Sequence, residues 1–503
     1  MNLGPGLIPA LSQGLQAIRC PPGLAFDLEK QTCDWKWAVK NCDKKTKEKK
    51  VKPLLVTDEP LCQNANELAC GDGSCIAKGL FCNGVKECND GSDENVCGKL
   101  TVREIKHMIT HFTIDSENDP NRAPPCDKTL CKLPDCFCSE DGTEVPGDLC
   151  PENDRCDRVP QMVTLTFDDA INIGNIDLYS EIFNKQRRNP NGCDIKGTFF
   201  VSHHYTNYSA VQNMHRLGHE IAAHSITHNS DEAFWSEASV EDWAREMAGS
   251  RLIIDKFAKI NDNSVVGLRA PYLRVGGNNQ FTMMEEQGFL YDSSITAPLQ
   301  NPPLWPYTLY FRMPHRCHGN LQNCPTRSLA VWEIVINELD RREDPTVDED
   351  LPGCAMVDSC SNIRSGDQFY NFLTHNFYRH FDQNRAPLGL FFHSSWLKNN
   401  PEFLDAFLYW IDEVLANHPE VYFITQTQVI QWIQDPVTKE SAKNFLPWQE
   451  KCSPGPRTEC LVPNSCKLAN DKELAGEQFL MYTCQRCPNQ YPWLNDPLGE
   501  GIF

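Results

Sequence analysis

Apolar and polar positions follow a regular rhythm in only one part of this chain. From about residue 160 to 435, short apolar runs alternate with segments of helical period. The runs predict strands at 162–167, 195–201, 219–223, 265–268, 388–392 and 421–425. Amphipathic stretches predict helices over 176–187, 209–217, 239–258, 327–338 and 403–416. Strand–helix alternation at this length favours a parallel barrel or a doubly wound sheet. In either architecture, functional residues gather beyond the C-terminal ends of the strands. Asp168, His224, Arg269 and His393 each fall just past a predicted strand.

Outside that stretch, cysteine organises the chain. Fifteen of the 25 cysteines precede residue 157, a density expected of disulfide modules made in an oxidising compartment. Residues 1–19 make a poor signal peptide, with no basic start and with Pro5 and Pro9 inside the apolar stretch. Together with the odd cysteine count, this suggests a truncated or alternative beginning. Residues 43–60, rich in lysine, read as a solvated linker, and 99–125, with Pro120, Pro124 and Pro125, as a second. Between them, 61–98 carry six cysteines (Cys62, Cys70, Cys75, Cys82, Cys88 and Cys97) in a segment too short for an apolar core. Its clustered carboxylates would attract a hard cation such as calcium. The alternative there is a disulfide knot with an acidic surface and no metal. Cysteines from Cys126 to Cys156 would clamp the entry to the large domain, and 436–503 read as a disulfide-pinned strap.

Length and charge narrow the partners. With 503 residues the chain can hold one large core and several modules. A net charge of −21 argues against nucleic acid or an anionic membrane surface. No apolar stretch reaches the roughly 18 residues needed to span a membrane.

Candidate chemistry lies at the end of the first predicted strand. Asp168 and Asp169 stand side by side, and His224-Ser225-Ile226-Thr227-His228 follows downstream. Two imidazoles, one carboxylate for a metal and one carboxylate to spare suit metal-assisted hydrolysis. Neighbouring strand residues point to opposite sides, so one Asp would face a metal and the other a water. Alone, the Asp pair would read better as strand-end or capping residues; with the His pair it would not. Likewise, His393 by itself would pass for a core histidine, Arg269 for a surface residue, and Tyr272 and Trp305 for packing residues. His203, His204, His215, His219, His315 and His318 read as structural or surface histidines, with a substrate contact open to His203 and His204. The cysteine-bearing stretch 299–364 reads as an insertion near the cleft, and Asn207-Tyr208-Ser209 is a glycosylation sequon.

Five motifs carry a resemblance to the polysaccharide deacetylases of carbohydrate esterase family 4, and within them to the insect chitin deacetylases. They are Thr166-Phe167-Asp168-Asp169-Ala170, His224 to His228, Arg269-Ala270-Pro271-Tyr272, Tyr291-Asp292-Ser293-Ser294 with Trp305, and Leu390 to Trp396. Ahead of them, Cys20 to Asp27, Cys33-Asp34-Trp35 and Cys42 resemble the second half of a peritrophin-type chitin-binding domain. Residues 61–98 resemble a low-density-lipoprotein-receptor class A repeat.

These resemblances imply an α/β fold, a distorted (β/α) barrel of the polysaccharide deacetylase type preceded by small disulfide-rich modules. The implied order is a partial chitin-binding domain (1–42), a linker (43–60), a class A repeat (61–98), a linker (99–125), a catalytic domain (126–435) and a strap (436–503). They imply metal-dependent removal of N-acetyl groups from chitin by a secreted protein of the extracellular matrix, with chitin and matrix proteins as partners. The other reading is a chitin-organising matrix protein that keeps the fold with little activity. Asp169, His224 and His228 would hold a divalent ion, most simply zinc. Asp168 would be the general base, oriented by Arg269, and the backbone N–H of Tyr272 would steady an oxyanion. His393 would be the general acid, with Asp292 a candidate to tune it. Trp305, Leu390 and Trp396 would wall the acetyl pocket. In the repeat, Asn83, Glu87, Asp93 and Glu94 would bind calcium, and Cys20 would pair with Cys33.

Overall fold

In this computed structural model, the residues described are 121–150, 156–319, 322–342, 351–455, 460, 462–474 and 476–501, together with the backbone of six short strands ahead of them. Those strands form three antiparallel pairs: Gly6–Ile8 with Gln16–Ile18, Leu24–Asp27 with Thr32–Trp35, and Glu67–Ala69 with Cys75–Ala77. Residues 41–120 make one compact unit; 1–40 and 121–503 make the other. The expected calcium ligands Asn83, Glu87, Asp93 and Glu94 lie outside the described residues. So do the side chains of Cys20, Cys33, Cys62, Cys70, Cys75, Cys82, Cys88 and Cys97.

The large unit is built on a nine-stranded sheet. Its strands are β1 (Gln161–Asp168), β2 (Gly197–Val201), β3 (Glu220–Ala223), β4 (Gly267–Leu268), β5 (Tyr291–Asp292), β6 (Tyr307–Thr308), β7 (Trp332–Glu333), β8 (Leu388–His393) and β9 (Val421–Phe423). The spatial order is β6-β7-β5-β4-β3-β2-β1-β8, with β9 paired to the first half of β1. Every pairing is parallel except β6 with β7. This is the distorted, incompletely closed (β/α) barrel that the alternation favours.

Alternation along each strand sorts side chains between two layers. On β1, Val163, Leu165 and Phe167 join the main apolar cluster, together with Leu388, Leu390 and Phe392 of β8. Helices Ile176–Ile182, Gly366–Phe381 and Pro401–Asn417 cover that side, contributing Tyr179, Phe369, Phe377, Phe407 and Trp410. Met162, Phe200, Ala222, Tyr291 and Tyr422 make a separate cluster on the other face. Asp168 shares that inner parity with Met162, so the strand's own period sends its carboxylate inward.

The structure departs from the sequence pattern in three places. The helix expected at 327–338 is β7 and a second short strand, Ile336–Asn337, paired in parallel with Thr296–Ala297. The pattern there is ambiguous because residues 331–336 are buried on both faces, so apolar spacing carries no period. Helices Gly277–Gln287, Gly366–Phe381 and Gln426–Gln434 were not in the expected set. Finally, the tail is more than a strap: Cys466, Leu468, Met481, Tyr491 and Trp493 belong to the main core cluster. Hairpin Asn464–Ala469/Gln478–Thr483 is held by Cys460–Cys484 and Cys466–Cys487, and Cys452 is bridged to Cys193. At the domain entry, Cys126–Cys138, Cys131–Cys136 and Cys150–Cys156 form the expected clamp. Among the described residues no helix is long and apolar enough to cross a membrane.

Candidate active site

Asp168 ends β1 with its side chain 3% exposed, and Arg269, just past β4, is fully buried beside it. Arg269 Nη1 donates to Asp168 Oδ1 at 2.7 Å and to Thr166 Oγ1 at 2.9 Å. Its Nε donates to Ser293 O at 2.8 Å and its Nη2 to Ser293 Oγ at 3.0 Å. The guanidinium lies between the rings of Phe200 and Phe391, 4.0 and 4.7 Å from their centroids. Gly389 makes that sandwich fit, since a Cβ there would lie 2.2 Å from the Phe391 ring. Burial pushes the Asp168 carboxyl up, but Arg269, then His224 and His393, outweigh it and hold it below the ordinary carboxylate value. The group is therefore ionised and held in orientation at neutral pH.

Asp169 turns away at φ 78° and stays half-exposed. Its Oδ1 lies 3.4 Å from His228 Nε2 and 4.0 Å from His224 Nε2, and the three donor atoms fall within 4.8 Å of one another. Two ligand atoms about 2 Å from one tetrahedral ion stand roughly 3.3 Å apart, so the set fits a single divalent ion. His224 Nδ1 donates to Arg269 O at 2.8 Å, which turns Nε2 toward Asp169. Burial, then the neighbouring His224, pushes the His228 imidazolium down to about 4, so the ring is neutral and ready to ligate. Asp169, Ser225, His228, Tyr272 and Leu273 all have positive φ. Such concentration of strained backbone in one site is what a fixed ligand geometry requires.

His393 ends β8, in register with Asp168 on β1. Its Nδ1 faces Asp358 Oδ2 at 2.8 Å, and its backbone N–H donates to the same oxygen at 2.6 Å. Burial pulls the imidazolium down, but the Asp358 hydrogen bond and the charges of Asp168, Asp358 and Asp169 raise it to about 9. His393 therefore carries a proton at neutral pH while remaining 41% exposed. A depression of about 530 Å³ opens beside it, lined by Asp358, Ser395, Trp396 and Asn399. Asn175 ties this side to the base, donating to Ala170 O and Ser394 Oγ.

Several expected residues sit elsewhere. Asp292 does not reach His393. It is buried, accepts from Gln280 Nε2, Ser294 N and Ser294 Oγ, and has Glu333 beside it. The partner of His393 is Asp358 instead, on a turn between Cys354 and Cys360, which are bridged. A carboxylate clamped between two cysteines six positions apart was a usable signal in the sequence. Trp305 is no cleft wall either: it is fully buried, stacked on Trp432 at 5.6 Å, with Nε1 bonded to Asn384 O. Leu390 has the outer parity of β8 and packs in the main core. Trp396 does edge the depression, stacked on Phe403. Tyr272 is 44% exposed, its ring against His228 at 4.9 Å. His203 is buried, bonded to Tyr208 Oη and Pro492 O, and His204 stacks on Phe479 and Trp493, so both serve the tail's packing.

An ionised carboxylate held by arginine, a cluster of three donor atoms and a protonated histidine together fit the needs of metal-assisted hydrolysis. Sequence profiles agree: polysaccharide deacetylase matches residues 156–289, the class A domain of the low-density lipoprotein receptor 60–97, and the chitin-binding Peritrophin-A domain 11–42. Chitin deacetylase 1 of Bombyx mori is 69% identical over 497 residues, 99% of this chain and 88% of that protein. Chitin deacetylase 8 of Bombyx mori is 35% identical over 388 residues, 75% and 94% of the two chains. Among solved structures, a family 4 carbohydrate esterase from Streptomyces lividans in complex with acetate is 15% identical. It matches 52% of this chain and 91% of its own, with a TM-score of 0.29. The chain belongs to the chitin deacetylases, within the polysaccharide deacetylase family.

Proposed function

We propose that this protein hydrolyses N-acetyl groups of chitin, leaving glucosamine units and releasing acetate. One observation carries the reading: the arginine-held Asp168, the Asp169–His224–His228 cluster and the Asp358-bonded His393 converge past the ends of neighbouring strands. An organising protein without catalysis would have no use for all three.

Asp169, His224 and His228 would hold a divalent ion, and zinc would suit two imidazoles and a carboxylate best. When bound, the ion supplies Lewis acidity toward the acetamide carbonyl and acidifies a water. Asp168 takes the proton of the attacking water as the water oxygen adds to the acetamide carbon. Arg269 keeps Asp168 ionised and aimed throughout. The N–H of Tyr272 faces the developing oxyanion. His393 then gives its proton to the sugar nitrogen as the C–N bond breaks, so amine and acetate leave with protons balanced. Trp396 walls the side of the depression nearest His393.

The disulfide-rich build supports secretion into an oxidising space, where chitin matrix and its proteins are the partners. Calcium in the class A repeat, through Asn83, Glu87, Asp93 and Glu94, rests on the sequence resemblance. Acetate release from chitin oligomers, with and without a chelator, tests the central reading. Release that a chelator leaves untouched, or no release by the metal-loaded protein, would overturn it.

A further inference from the structure

Glu246 is 1% exposed, and it stands inside a π-helical turn, Ala244–Ala248, between two α-helical stretches. Single π turns inside helices frequently mark functional positions, because the extra residue re-aims a side chain. Here the re-aimed carboxylate meets the loop between the two histidine ligands. Glu246 Oε2 accepts from Ile226 N at 3.0 Å and Thr227 N at 2.9 Å, and Oε1 accepts from Thr227 Oγ1 at 2.5 Å. Gly249, next along the helix, lets the same loop approach closely: a Cβ there would lie 2.8 Å from Ile226 Cδ1.

The loop needs such a hold. His224 is fixed at its start through Arg269 O. Within the loop, Ser225 and His228 adopt φ of 72° and 47°, and the loop's internal bond runs from His228 N to Ser225 Oγ at 3.1 Å. Left-handed backbone at two non-glycine residues persists only when surrounding contacts over-determine it. A buried carboxylate satisfied by three donors does that, and burying it would be costly for any lesser purpose.

We propose that Glu246 is a positioning residue for the metal centre, holding Ile226 and Thr227 so that His228 stays within ligating distance of Asp169 and His224. This rests on the metal reading above. The prediction is that Glu246 sets metal affinity without touching the ion or the substrate.

Zinc affinity of the full chain, measured by competition with a chromophoric chelator, tests it. Glu246→Ala should weaken zinc binding about 10–100-fold, the usual cost of losing a group that orients a ligand. Glu246→Gln should recover most of that, because its amide oxygen still accepts from both N–H groups and its NH₂ can donate to Thr227 Oγ1. At saturating zinc, the turnover of Glu246→Ala should return close to wild type. Glu220→Gln is the control. It alters another buried acid, bonded to Thr198, Tyr291 and Thr427, and should leave zinc affinity unchanged. If Glu246→Ala fails to fold, Thr227→Val decides, with a severalfold weakening expected. Wild-type affinity in a folded Glu246→Ala, or in Thr227→Val, overturns the proposal. Absence of zinc binding by the wild type would overturn the metal reading instead.

Discussion

The two sides of the cleft solve opposite electrostatic problems with parts of different origin. On the base side, burial would neutralise Asp168, and a sandwiched arginine inside the barrel prevents it. On the acid side, burial would deprotonate His393, and Asp358 prevents that, raising it to about 9. The base pair is made from strand ends and is nearly inaccessible to water. The acid pair borrows its carboxylate from a disulfide-closed turn and stays open to solvent. Screening should therefore weaken the second pair far more than the first. The lesson is that a barrel can fix one protonation state from its core, whereas the complementary state can be set by an added loop.

The sharpest break comes from the base. Asp168→Asn should reduce deacetylation of a chitin oligomer about 10⁴-fold, at the upper end for a general base. Metal content, read by elemental analysis, should stay at wild-type stoichiometry, because Asp169 and the histidines hold the ion. Loss of metal in that variant would mean the two aspartates do not divide the work.

His393→Ala should come next, with a loss of about 10²–10³-fold on the oligomer. An activated aryl acetate, whose leaving group needs no proton, should lose far less. Equal losses on both substrates would remove His393 from the acid's role.

Asp358→Asn should act on the pH profile. His393 protonated is the competent form, present below its pKa and lost as pH rises through about 9. Without Asp358 that limb should move down toward the ordinary imidazole value near 6.5, costing roughly thirtyfold in activity at pH 8 and little at pH 6. The same raised pKa means the ion pair's stabilisation is complete below about 6.5 and gone above about 9. An unshifted alkaline limb would show that another group protonates the amine.

The smallest effect should follow from opening the turn itself. Replacing Cys354 and Cys360 by serine frees a short loop, with a stability loss of about 2 kcal/mol. Activity should fall severalfold, and only at alkaline pH, as Asp358 loses its fixed position. A uniform loss across pH would point to general unfolding instead.

How far the sequence reached can be told from these same residues. Asp168, His224, Arg269 and His393 were readable because each follows an apolar run, and Asp169 and His228 because they stand next to Asp168 and four positions after His224; a strand's period and its C-terminal end constrain where such residues go. Local periodicity also placed most strands and the helix at 401–417. What the sequence left open has one physical cause: it depends on which distant segments meet. Asp358 lies 35 positions from His393, and Glu246 lies 20 and 19 positions from Ile226 and Thr227. Trp305 and Leu390 looked like cleft residues, yet packing against Trp432 and the helix layer buried them. Segment 327–338 read as helix because burial of 331–336 on both faces erased its period. The sequence alone determined which carboxylates and imidazoles stand past the strand ends. Tertiary structure decided which carboxylate serves which histidine, because long-range contacts between buried groups leave no local pattern along the chain.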